Sequence, residues 1–174
     1  LQPPTISNNR EPRKPTIRPQ KVTLWYILRE NALQIIMYIL GAILVGLIRW
    51  PLAAAYLLLA AASTIFYMYW VCPYCGHYQL ATCPAAFDVL SGKIFKPLPG
   101  RTFRRQFTLG AIVLGPGWFL PPLAALYLLL TGFSWLILAL LIVFCAVAFW
   151  LLPQQSKSHC DGCETVDCPR HPRK

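Results

Sequence analysis

Two cysteine clusters carry most of the chemistry available to this chain. The stretch VCPYCGHYQLATCP, residues 71–84, sets Cys72 and Cys75 three apart and puts Cys83 before a proline. The stretch HCDGCETVDCP, residues 159–169, repeats the arrangement with Cys160, Cys163 and Cys168. A C-x-x-C turn directs two thiolates at one ion, and its backbone N–H groups can reach the sulfurs. Two such units in one chain point to metal binding. Four thiolates at about 2.3 Å in a tetrahedron make a structural zinc site. Cys72, Cys75, Cys160 and Cys163 would form one shared site and leave Cys83 and Cys168 over. Alternatively each cluster closes its own site with three sulfurs and one histidine. The first would use His77, and the second His159 or His171.

Zinc is the expected metal. An iron–sulfur cluster is the alternative, because Cys-Pro also ends cluster-binding runs. The compact spacing C-x-x-C-x-x-C-x-x-x-C-P is absent. A thioredoxin-like redox pair would need a βαβ setting that this sequence lacks. The seventh cysteine, Cys145, sits between Phe144 and Ala146 in an apolar run and reads as a packing residue.

Other chemistries find no support. Asp88 is the only acid between the first apolar span and the tail, so there is no carboxylate pair. No phosphate-cradling loop and no nucleophile with a base is found. An independent enzyme is not expected. No apolar span carries His, Asp, Glu, Lys or Arg, which argues against bis-histidine haem and against an intramembrane proton pathway.

The elements that must position the cysteines are membrane helices. The 174 residues are 56% hydrophobic and only 13% charged, where a soluble domain has about a quarter charged. Mean hydropathy is +0.49. Four apolar runs, 32–48, 51–71, 107–130 and 133–152, each approach the roughly 20 residues needed to span a bilayer. The expected fold is an all-α integral membrane protein with four transmembrane helices in two hairpins. Its parts are a basic Pro-rich extended arm (1–22), hairpin one (23–71), a Cys-containing loop (72–106), hairpin two (107–152) and a Cys-rich tail (153–174). The arm lacks the marks of a secretory signal.

Orientation follows from charge. The links at Arg49–Trp50 and Thr131–Gly132 are very short, so both termini and the central loop share one side. Fifteen of the sixteen Lys and Arg residues lie on that side, and Arg49 lies opposite. Basic residues favour the cytoplasmic face, where thiols stay reduced and disulfides are not expected. Trp25, Tyr69, Trp70 and Trp150 suit an inner aromatic belt, and Trp50 and Trp135 an outer one. The net charge of +10 then reads as a topology signal and a contact to anionic headgroups. No nucleic-acid partner is expected.

Two further features stand out. In the loop, Phe87, Leu90 and Ile94 fall at helical spacing beside Lys93 and Lys96, the pattern of a short interfacial helix. Arg101, Arg104 and Arg105 follow it and would meet lipid phosphate or a partner subunit. In the third span, Pro116, Pro121 and Pro122 predict a break. Each removes a donor and frees the carbonyl four residues earlier: Ile112, Gly117 and Trp118. A packing kink, or a lipid or cofactor lodged beside Trp118 and Phe119, would follow. The functional expectation is a non-catalytic accessory or anchor subunit of a larger membrane complex. The alternative is a membrane electron-transfer subunit carrying iron–sulfur at the inner face.

Overall fold

The computed structural model describes residues 23–75, 77, 78, 83, 85, 87–97 and 101–160, with the side chains of 89 and 158–160 left aside. Among the described residues every regular element is helical. We number them α1 (Leu24–Glu30), α2 (Ala32–Gly46), α3 (Trp50–Trp70), α4 (Phe87–Ile94), α5 (Phe103–Thr131), α6 (Trp135–Cys145) and α7 (Leu152–Cys160). A 3₁₀ turn, Cys72–Tyr74, follows α3, and a π-helical segment, Ala146–Leu151, joins α6 to α7. The arm 1–22 lies outside the described residues.

Three helices are long and apolar enough to cross a membrane: Trp50–Tyr74, Phe103–Thr131 and Trp135–Lys157. The pair α1 and α2 makes a fourth span if taken together, bent by 61°. Large side chains cover the outside of these helices. Leu58 is 72% exposed and Leu130 79%. Apolar surface of that extent suits a lipid solvent and not water.

The irregularities fall elsewhere than the prolines suggested. α5 runs as one 29-residue helix through Pro116, Pro121 and Pro122, so the expected break in the third span is not found. The reason lies in how a freed carbonyl is satisfied. Pro121 cannot donate to Gly117, and the Tyr56 hydroxyl of α3 donates to that carbonyl instead, at 2.8 Å and buried. A neighbouring hydroxyl of this kind is what lets a proline-bearing helix persist in lipid.

The first span bends at Asn31, with no proline nearby. Asn31 Nδ2 donates to the Ile27 carbonyl at 2.9 Å and to the Ala85 carbonyl at 3.3 Å. Its side chain thus competes with the helix ladder and ties the bend to the segment before α4. The fourth span loosens into π geometry over the six residues before Leu152. Pro153 follows within α7, and a widened turn relieves the clash of its ring with the preceding turn.

Packing is close where residues are small. The core gathers Met37 and Leu44 of α2, Ala125 of α5, Phe144 of α6, and Val147 and Ala148. A Cβ on Gly41 would meet Tyr56 Oη at 2.5 Å and Pro121 Cγ at 2.9 Å. A Cβ on Gly110 would meet Val71 Cγ2 at 2.5 Å. Glycine at these two points lets α2, α3 and α5 approach closely, the usual device of helix association in membranes. Cys145 lies beside this core and is not in a disulfide.

Candidate functional site

The cysteine unit sits where α3 ends. Val71 caps α3, and the chain turns at once through Cys72–Tyr74, with Pro73 near the start of the turn. The Cys75 N–H donates to the Cys72 carbonyl at 3.1 Å, and the Tyr78 N–H to the Cys75 carbonyl at 3.0 Å. The C-x-x-C segment is therefore a hydrogen-bonded turn, as its spacing predicts. Tyr78 Oη donates to the Phe95 carbonyl at 2.6 Å and so clips the far side of the loop to the end of α4.

Cys83 returns to the same place from the other side. Its own N–H donates to Asp88 Oδ2 at 3.1 Å. The backbone N–H groups of Ala85, Phe87 and Asp88 reach its sulfur. The start of α4 thus forms a cradle of donors around one thiol. Asp88 is 3% exposed and acts at a distance on Cys72, Cys83 and His77 as well.

Electrostatics here are set by burial. Burial and Asp88 raise the Cys83 pKa, while the three amide donors oppose the rise. Burial lowers the His77 pKa, with Asp88 acting the other way. Cys83 thus favours the protonated form and His77 the neutral one. A bound cation would reverse the balance for the thiols. A neutral imidazole is the form that ligates metal.

The structure brings four of the expected ligands to one region. Cys72, Cys75, His77 and Cys83 all line a single cavity at this end of the bundle. No disulfide joins Cys72, Cys75, Cys83 or Cys145. Among the described residues no group of three or more His, Cys, Asp or Glu is arranged to hold a metal ion. The donor types fit a zinc or iron–sulfur ligand set, and their spacing as it stands does not yet make one. His159 and Cys160 fall on the last turn of α7, with side chains outside the described set. Cys163, Cys168 and His171 lie outside the described residues.

The arginines divide. Arg101 places its guanidinium carbon 4.1 Å from the centre of the Trp70 ring, a cation–π contact that fastens the start of α5 to the end of α3. Arg104 and Arg105 are exposed in the first turn of α5. Cations at a helix N-terminus oppose the helix dipole by about 0.3–1 kcal/mol each. Their placement therefore answers to something outside the helix.

The α4 helix forms at the predicted position, but its inward face is polar. Asp88 and Ser91 are buried, and Ser91 Oγ donates to the Met68 carbonyl of α3 at 3.3 Å. Leu90, Ile94 and Lys93 face outward. An apolar face turned away from the protein suits a helix lying in the interface.

Sequence reasoning passed over three residues that organise this end. Asp88 was noted only as a lone acid, and that isolation in a greasy chain was the available signal. Asn31 belongs to no motif. Gln155, whose Nε2 donates to the Glu30 carbonyl at 2.9 Å, joins α7 to the end of α1 and gave no signal at all. Comparison with protein-family models, with curated proteins and with solved structures returns no match to this chain.

Proposed function

We propose that this chain is a non-catalytic accessory or anchor subunit of a larger membrane complex. It spans the membrane as two helical hairpins and binds structural zinc through cytoplasmic cysteines. The observation that carries the metal reading is the Cys83 cradle, in which three backbone N–H groups converge on one half-buried sulfur. Such donors stabilise a thiolate. Zinc supplies the positive charge that lets clustered thiols ionise. Cys72, Cys75, Cys83 and His77 would form the first-half ligand set, and Cys160, Cys163, Cys168 and His159 the second.

The anchor reading rests on the absence of any catalytic constellation in the sequence and on the exposed, apolar helix faces. Arg104 and Arg105 would contact lipid phosphate or an acidic partner subunit, with the charge bias of the loops setting the cytoplasmic orientation. The reading is tested in native membranes by differential alkylation. With zinc in place, Cys72, Cys75 and Cys83 resist a small maleimide and become reactive after chelation. On native gels the chain migrates in an assembly larger than its own 19.7 kDa plus detergent. Equal labelling before and after chelation, with migration as a monomer, overturns the reading.

A further inference from the structure

The segment that joins α3 to α5 carries charge that no described residue balances. Five of the sixteen Lys and Arg residues fall between residues 93 and 105, and no Asp or Glu occurs between Asp88 and Asp161. Asp88 is 3% exposed and turned to the Cys83 N–H. Among the described residues the one salt bridge joins Arg29 to Glu30. Arg101 is occupied by the Trp70 ring. Lys93, Lys96, Arg104 and Arg105 are exposed. The two elements that bear them meet at the end of α3. Phe95, just after α4, packs on Tyr69 at 5.1 Å, Tyr69 packs on Trp70 at 5.6 Å, and Arg101 lies over Trp70.

With α3 and α5 as membrane spans, these cations fall at headgroup depth. Arg104 and Arg105 open α5, while Leu109 and Ile112 of the same helix are already 41% and 67% exposed. Arg105 and Leu109 are four residues apart, a rise of about 6 Å. α4 has eight residues, too few to cross a bilayer, and it turns Leu90 and Ile94 outward. Cations set among large outward apolar side chains match a lipid surface, which meets both with phosphate and acyl chain. An acidic protein patch would answer the charges and leave Leu90 and Ile94 uncovered. Nor does α5 itself gain from Arg104 and Arg105, since cations in its first turn oppose the helix dipole.

We infer that α4 and the first turn of α5 form a binding surface for anionic glycerophospholipid. Arg104, Arg105, Lys93 and Lys96 hold the phosphates, and Leu90 and Ile94 enter the acyl region. The inference rests on the membrane reading above, and it narrows the partner left open there for Arg104 and Arg105 to lipid. Such a surface enriches anionic lipid from a mixture, and salt screens the attraction.

The full chain in detergent is equilibrated with equal amounts of phosphatidylglycerol and phosphatidylcholine of matched acyl chains and passed through gel filtration. The retained lipids are then counted by mass spectrometry. At low salt, phosphatidylglycerol should exceed phosphatidylcholine about threefold or more, and high salt should remove most of the excess. Arg104→Gln combined with Arg105→Gln should bring the ratio close to one, and Lys93→Gln combined with Lys96→Gln should lower it. Removing cations from the start of α5 relieves its dipole, so the helical circular dichroism of the arginine variant should be intact. Arg49→Gln, exposed at the start of α3, should leave the ratio unchanged. Inorganic phosphate should not displace the lipid, because it offers nothing to Leu90 and Ile94. The inference is overturned if the two lipids are retained equally, if either double variant, verified as folded, retains lipid like the parent chain, or if Arg49→Gln removes the excess as well. It is equally overturned if inorganic phosphate displaces the lipid, or if polyglutamate does, which would point to an acidic partner. A chain that stays in solution without detergent would overturn the membrane reading and this inference with it, whereas a chain that needs detergent and shows no lipid preference overturns the inference alone.

Discussion

Asp88 shows how one side chain can hold a reactive loop together. Its carboxylate accepts the Cys83 N–H while the helix it begins supplies donors to the Cys83 sulfur. Replacing it by alanine leaves that part-buried N–H without its acceptor, a cost on the order of 1 kcal/mol. Asp88→Ala should therefore speed hydrogen exchange at the Cys83 amide by tenfold or more, with the amides of α3 unaffected. A second prediction concerns thiol reactivity. The thiolate is the nucleophile, and burial with Asp88 raises the Cys83 pKa, so in metal-stripped protein less of it is ionised near neutral pH than of an ordinary thiol. Its alkylation should be slower than that of an ordinary thiol of pKa about 8.5 at pH 8. The rate should go on climbing above pH 9, where an ordinary thiol levels off. A plateau below pH 9 would contradict the environment described for Cys83.

At the scale of elements, the third helix bears out half of an argument from sequence. The residues name the carbonyl that Pro121 frees, Gly117, because the hydrogen-bond ladder fixes that offset. They do not name the donor that takes it. Tyr56 is 61 residues away, and no local pattern relates the two. The helix consequently continues where a break was expected. The bend at Asn31 was hidden for the same reason, since the Ala85 carbonyl that completes it lies 54 residues on. The short helix at 87–94 was legible because its periodicity is local. Its polar inward face was less so, because the ordinary pattern puts apolar residues inside and here the outside is lipid.

The Tyr56–Pro121 relation gives a double-mutant cycle. Tyr56→Phe alone leaves the Gly117 carbonyl unsatisfied and should destabilise the bundle by about 1 kcal/mol. Pro121→Ala restores the intrahelical donor. In that background Tyr56→Phe should cost less, with a coupling of about 0.5 kcal/mol or more. Denaturation in mixed micelles measures the cycle. Strict additivity would show that Tyr56 does not serve the proline-freed carbonyl.

Across the whole molecule, composition alone revealed the solvent, because side chains such as Leu58 and Leu130 remain largely exposed. The matched C-x-x-C units suggested a common end, and the second unit runs outside the described residues. One described contact between the two halves is the Gln155–Glu30 hydrogen bond, made by residues with no motif. The proposed orientation is tested by an impermeant maleimide on sealed vesicles. With metal removed, Cys75 should label only from the cytoplasmic face. A cysteine introduced at Gly132, where a side chain meets open space, should label only from the opposite face. Reversal of both would place the cysteines in an oxidising compartment and favour disulfides over metal.

Metal content bears on the proposal most directly. The intact chain, purified without a histidine tag or chelator and kept reduced, is analysed for zinc and iron per polypeptide. We predict at least one zinc per chain, no iron and no visible colour, and loss of about one zinc in Cys83→Ser with the helical signal intact. Protein that carries neither zinc nor iron, and whose cysteines alkylate without prior chelation, would contradict the account, as would a brown protein with stoichiometric iron.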